Sequence, residues 1–379
     1  MTGLALTGLS TRPAQAWGGV RLVPLVRERP IEDLRLDARL YGADLGVVEV
    51  TPRSAYFSYV PHGFVANWAP DENPAAAYGT QLRDAEERTP DRMPLRFHRR
   101  MARRVGKSRL RFLPLHLALE GYLALHFGGP EIAWEEWSHR AIAHGLSPRV
   151  EESYTGSVVR GLDDALRVFE IHPGQCGVLL YVADALAAAF VVPHPGDYRA
   201  LHATLLHDLY GELIYHYAML GMPVPDFRAR IEDTAVRSLA DLRAQARRQR
   251  EEWAVFNDEV MAGALLGADY AYEHVYTMGR YHLSRFLPPF ERQRENHIGE
   301  LITDETGRLA YLKTFRLSEN QIRRGHLLTR LAANDWNLAG TAAALGVTEA
   351  RLGLRIEAAG FGHLLRQDVR DRYRAQARR

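Results

Sequence analysis

The chain of 379 residues is 46% hydrophobic and 25% charged, with 48 Lys+Arg against 46 Asp+Glu for a formal charge of +2. This composition can bury a sizeable core and excludes wholesale disorder, while the near-balance of charge excludes a protein that coats polyanions uniformly. Only Lys107 and Lys313 are lysine, leaving 46 arginines, and Cys176 is the single cysteine, which excludes an intrachain disulfide and a thiolate metal cluster.

A GC-rich coding bias accounts for the arginine enrichment as a whole; the functional alternative is recognition of phosphate or carboxylate, for which a planar guanidinium is better suited than an ammonium. The opening MTGLALTGLSTRPAQAW lacks the basic and continuously apolar regions of a signal peptide, and the most apolar stretch, residues 177–193, contains Asp184. It is also short of a membrane helix, so a cytoplasmic setting without a membrane partner is expected.

In chain order, residues 20–26 (VRLVPLV), 34–41 (LRLDARLY), 47–51 (VVEVT) and 55–60 predict strands of a half-buried sheet; the second alternates leucine and alanine with charge at a period of two. Residues 70–94, rich in Ala, Pro, Asp and Glu, predict a loop. Residues 96–111 carry eight basic residues and no acid, a pattern more typical of a solvated face than of a phosphate site. Gly106-Lys107-Ser108 is not a P-loop, because Met101 stands where the first glycine must be.

Helices are predicted at 113–127, 132–144 and 163–169, then a buried hairpin at 175–182 and 187–192. A long helix follows over 198–220, with Asp197 as its N-cap. A charged helical stretch covers 231–253, aromatics alternate through 270–286, and 298–315 predicts a hairpin turning at 304–307.

From Leu317 the pattern becomes compact and helical, which places a boundary between an α+β body, residues 1–316, and an all-α unit, residues 317–379. Ser318 caps a helix over 318–333; a short Ala-rich helix over 337–345, a Gly346-Val347-Thr348 turn and a helix over 349–359 closed by Gly360 follow. This order resembles the helix-turn-helix of the Fis type, matched at Asn337, Ala342, Ala343, Leu345, Gly346, Val347, Leu352 and Gly360. The resemblance implies DNA as a partner, read through Thr348, Arg351 and Arg355 near the start of the second helix. Residues 347–360 are nevertheless neutral, Arg351 and Arg355 being balanced by Glu349 and Glu357, and the basic surplus lies in the tail after Arg366.

In the body, the helix around LHATLLHDLYGELIYHYAML places Asp208, Glu212 and His216 at i, i+4 and i+8 in one stripe, with Glu212 within the apolar face. A carboxylate desolvated there is a candidate acid, base or ligand holder, so these three are the candidate catalytic residues. The structural alternative is an intrahelical Glu212–His216 pair. His116 with Glu120 reads as a core edge, and His172 with Cys176 as a weak nucleophile–base pair that lacks a third group. The residue patterns point to no metal set and no particular cofactor.

The segments QAWGGVRLVPLVRERPIEDLRLDARLY, FLPLHLALEGYLALHFGG and PGQCGVLLYVADALAAAFVVPHPGDYRALHATLLHDLYGEL resemble the bacterial "ARG and rhodanese-phosphatase-superfamily-associated protein" domain. The resemblance implies systems that handle ADP-ribose, NAD-derived or phosphorylated nucleotide species, and it draws attention to Asp197 and His207 as ligand-binding candidates beside Asp208 and Glu212. Two readings follow. In one, the chain is a regulator whose body senses a ligand or partner and whose C-terminal helices bind DNA, as a homodimer on two half-sites. In the other, the body binds or turns over an ADP-ribose-like nucleotide and the C-terminal helices serve packing or dimerisation.

Overall fold

The computed structural model describes residues 3–36, 168–183, 185–206 and 227–378, together with the backbone of short strands between residues 47 and 112. Its centre is a nine-stranded antiparallel sheet. The strands are β1 (Ser10–Thr11), β2 (Gln15–Trp17), β3 (Val20–Val26), β4 (Gln175–Val182), β5 (Ala185–Val191), β6 (Ala271–Met278), β7 (Tyr281–Leu287), β8 (His297–Asp304) and β9 (Leu309–Arg316). They pair in the order β1-β3-β4-β5-β9-β8-β7-β6, with β2 also pairing β3.

Hairpins β4–β5, β6–β7 and β8–β9 join sequence neighbours, while β3–β4 and β5–β9 bring distant segments together. The α+β class expected from the sequence is observed.

The expected hairpin at 175–192 forms, and β5 begins earlier than expected because Ala183, at φ 56°, turns the chain tightly. The 298–315 hairpin also forms, its turn held by Asp304 Oδ1, which accepts from the backbone N–H of Thr306 at 3.0 Å and of Arg308 at 2.9 Å. Residues 70–94 depart from the expected loop. They include strands Pro74–Tyr78, Leu82–Arg83 and Arg92–Pro94, the first and last belonging to a separate five-stranded antiparallel sheet with Val47–Thr51, Ser54–Tyr59 and Phe64–Trp68. The Ala-rich strand is paired on both sides, and ladder pairing overrides weak intrinsic propensity; Pro74 sits at its first residue, where a missing N–H is tolerated. Part of the basic run forms a second pairing, Ala102–Arg104 with Leu110–Phe112. The helices expected at 113–127 and 132–144, with His116 and Glu120, lie outside the described residues, as does most of the one at 163–169.

Strands β4 and β5 are buried along their whole length, and β9 is buried but for its last residue. One face carries Leu22, Leu180, Phe190, Ile298, Tyr311 and Phe315 under α1 (Pro195–Thr204) and the C-terminal helices α4 (Glu319–Ala332), α5 (Leu338–Ala344) and α6 (Glu349–Ile356). The other carries Leu25, Cys176, Leu179, Val191 and Leu312 under α2 (Leu239–Val255), a π-turn at Phe256–Met261 and α3 (Gly263–Leu266). The wide π-turn brings Asn257 and Met261 inward at the end of an otherwise solvated helix. On the first face Gly325 of α4 lies against the Phe290 ring, and any Cβ there would overlap it. The sheet and the C-terminal helices therefore share one core.

Within that face Lys313 and Glu300, adjacent across β8–β9, are both fully buried, with Nζ 3.1 Å from Oε1. Burial pushes the Lys313 ammonium below its ordinary value, and the Glu300 carboxylate pulls it back up. Lys313→Met is expected to destabilise the protein by about 3–5 kcal/mol, because it removes the cation hydrogen-bonded to a buried carboxylate. The double variant Lys313→Met/Glu300→Leu should recover most of that loss. Urea unfolding of both variants tests this, and equal losses in the two would contradict it.

Candidate functional site

Helix α1 begins three residues earlier than the sequence suggests. The residue that caps it is His194, whose Nδ1 accepts from the Gly196 N–H at 3.0 Å, and Pro195 takes the first helical position, where its fixed φ is pre-organised. Asp197 is thus not the cap; it lies buried in the first turn, where its negative charge complements the helix dipole. His207, Asp208, Glu212 and His216 lie outside the described residues.

The described part of α1 buries Tyr198, Leu201, His202 and Leu205, the i, i+3, i+4, i+7 stripe of a helix face laid on β4. Tyr198 and His202 were not singled out in the sequence, although their i,i+4 spacing on an apolar face was the available signal. The Tyr198 hydroxyl lies 3.0 Å from His202 Nδ1 and is also hydrogen-bonded by Gln175, whose Oε1 accepts from the His172 N–H at 2.9 Å. Burial raises the Tyr198 phenol and pushes His202 down to about 4. His297 is likewise pushed down to about 4 by burial, although its Nε2 donates to the Leu186 carbonyl at 2.7 Å.

Cys176 directs its thiol at the Leu25 carbonyl, 3.8 Å away, and burial raises it against the pull of Arg27. Its described neighbours are Leu25 and Arg27 rather than His172, so no nucleophile–base pair forms there. At neutral pH this network holds a neutral phenol, imidazole and thiol. It positions α1 on the sheet, and none of the three is poised to take or give a proton near pH 7. Among the described residues no group of His, Cys, Asp and Glu could hold a metal ion.

A surface cleft of about 370 Å³ lies along α2 and the π-turn, lined by Val255, Phe256 and Val260 with Arg248, Glu251, Glu252 and Glu259. None of the described candidate residues Asp197, Thr348, Arg351 and Arg355 borders it.

The C-terminal helices follow the expected order. Ser318 and Gln321 form a capping box at α4. Asn337 caps α5, Gly346 turns at φ 61°, and Thr348 caps α6 by accepting from the Arg351 N–H at 3.2 Å. A final helix, α7 (Gln367–Ala377), packs against α6 so closely that a Cβ at Gly353 would overlap Tyr373. Arg370 Nη2 and Arg374 Nε bond Glu357 at 2.9 and 3.1 Å, and Tyr373 donates to Glu349 at 3.1 Å. Hydrogen bonds from Arg374 and Arg370 hold the Glu357 carboxyl down at about 2. Part of the basic surplus of the tail is therefore neutralised in place. Thr348, Arg351 and Arg355 are exposed.

Residues 4–279, well over half of the chain, match ARPP-2, the "ARG and rhodanese-phosphatase-superfamily-associated protein". The chain belongs to this family. The match covers the large sheet as far as the β6–β7 turn and stops before β7, β8, β9 and the C-terminal helices. No curated protein and no solved structure matches the chain. Among the described residues no helix is long and apolar enough to cross a membrane.

The two buried histidines set an acid limit on this ARPP-2 protein. Their folded values near 4 lie below the ordinary 6.5, so between those values the unfolded chain binds more protons than the folded one. Their contribution is complete above pH 6.5 and is lost as pH falls toward 4, by about 1.4 kcal/mol per histidine per pH unit. Urea midpoints measured from pH 7.5 to 5 should fall, and His202→Gln should make the decline shallower by about one proton; a midpoint unchanged down to pH 5 would refute this.

Proposed function

We propose that this ARPP-2 protein is a regulator whose α+β body is the sensing part and whose C-terminal helices bind DNA, as a dimer on two half-sites. The observation that carries the reading is the exposed stripe Thr348, Arg351 and Arg355 on α6, one helical turn apart on the second helix of a helix-turn-helix order. The opposite side of α6 is occupied: Leu352 and Ile356 enter the core, and Gly353 receives Tyr373. With Arg370 and Arg374 tied to Glu357, the exposed pair on α6 supplies the cations for phosphates or base edges. Fluorescence anisotropy with mixed-sequence duplex should show binding that weakens steeply with salt, since phosphate contacts release counterions. Arg351→Ala is expected to cost about 1–3 kcal/mol of affinity if the side chain reads a base. Absence of binding at low salt, or an affinity indifferent to salt, contradicts the proposal.

Family membership supports a second reading, in which the body binds an ADP-ribose-like nucleotide near Asp197, His207, Asp208, Glu212 and His216 and the C-terminal helices serve packing or dimerisation. It requires ADP-ribose to raise the melting temperature in the wild type and Glu212→Gln to remove the rise. A wild type indifferent to ADP-ribose rejects it.

A further inference from the structure

Helix α2 stands clear of the body along most of its length: of residues 239–255 only Trp253 is buried. On the same side as Trp253, Gln245 and Gln249 hold the segment that precedes the helix. Their Oε1 atoms accept from the Glu232 N–H at 3.0 Å and from the Arg230 N–H at 2.7 Å. At about 3.6 residues per turn the opposite side carries Ala244, Arg248, Glu251 and Val255, flanked by Arg247 and Glu252, and all six are exposed.

The charge of this helix changes sign along its axis. Residues 237–250 carry Arg237, Arg243, Arg247, Arg248 and Arg250 against Asp241, whereas residues 251–259 carry Glu251, Glu252, Asp258 and Glu259 with no base. Acids at the carboxyl end work against the helix dipole, and no basic residue stands in the last turn to offset them. Arg247 and Glu251, like Arg248 and Glu252, are four residues apart, but in the order that pairs less well within a helix. Among the described residues none of these four closes an ion pair. The cleft of about 370 Å³ lies at the acidic end, where Val255 and Val260 are 54% and 56% exposed.

A cleft with apolar walls and an acidic rim at one end of a helix, and a solvent-facing run of arginines at the other, make a self-complementary surface. A two-fold axis crossing α2 between Gln249 and Arg250 lays a second copy of the helix antiparallel to the first. Ala244 then stands opposite Val255 of the second copy. Arg247 faces Glu251 of that copy on one flank and Arg248 faces its Glu252 on the other, and symmetry repeats each pairing. The same arrangement sets the two helix dipoles head to tail.

We propose that the outward side of α2 is the surface through which two copies of this chain associate, the basic run of each seated on the acidic cleft of the other. The inference rests on the dimer of the proposed regulator, for which it supplies the interface, and not on DNA binding. One helix pair is small beside the interface of a permanent dimer, so the association is reversible on dilution.

The test is sedimentation velocity of the full chain, without DNA, over about a hundredfold range of concentration. The wild type should pass from monomer to dimer, and added salt should move that transition to higher concentration, because the paired charges are exposed. Glu251→Arg/Glu252→Arg should weaken self-association at least about tenfold, since arginine then faces arginine, and Arg247→Glu/Arg248→Glu should do the same. An equimolar mixture of the two variants restores opposite charges at every pairing and should dimerise at least as well as the wild type. That recovery separates a lost interface from a misfolded variant. A wild type that stays monomeric overturns the proposal, as does a dimer that either variant leaves intact or a mixture that remains monomeric. DNA binding is read separately by anisotropy: its failure leaves the interface standing, and a monomer that binds DNA removes the interface alone.

Discussion

An antiparallel sheet commonly leaves one face to water, but here β4, β5 and nearly all of β9 are covered on both. That constraint organises the rest of the molecule. It requires two apolar layers of cover, which the chain supplies from distant segments: α1 and α4–α6 on one side, α2, the π-turn and α3 on the other. It also requires that each polar group in the central strands be met locally, since water is excluded. Glu300 answers Lys313 across a ladder, His297 answers the Leu186 carbonyl, and Gln175 answers the His172 N–H. The Tyr181 hydroxyl, the Thr314 hydroxyl and, at the end of β3, Nε and Nη1 of Arg27 are exceptions to that rule.

The strands and caps that depend on local pattern were legible in the sequence. The apolar runs QCGVLLYV and RLAYLKTF, with their turns, place two of the central hairpins, and Ser318 with Gln321 marks the start of α4 through an exchange of hydrogen bonds that needs only its own first turn. Local pattern fails where a partner lies far away along the chain. Pro74–Tyr78 reads as a loop because alanine and proline are poor strand formers, and it becomes a strand because two neighbours pair with it. His194 caps α1 because Pro195 fixes the first helical φ, a combination masked by the more familiar Asp197. Arg27 carries no signal in RER, since what distinguishes it is the Ala310 carbonyl 283 residues away.

The arginine content divides along the same line. Arg370 and Arg374 close on Glu357 and fix α7 to α6, Arg323 pairs Glu319 along α4, and Arg280 reaches Asp33 at 2.9 Å to tie the β6–β7 turn to the loop after β3. These are exposed or half-exposed pairs that orient elements more than they stabilise them. They show how a composition bias becomes ordinary surface wiring.

The contact between Gly325 and Phe290 has a mechanical consequence. With no side chain between them, the backbone of α4 rests on the ring, and the loop carrying that ring joins β7 to β8. A packed interface of this kind cannot stretch; it shifts as a block or it breaks. A displacement of an ångström in that loop therefore becomes a displacement of α4 and of whatever α4 carries. The C-terminal helices behave as a lever seated on the sheet, with the aromatic ring as its fulcrum.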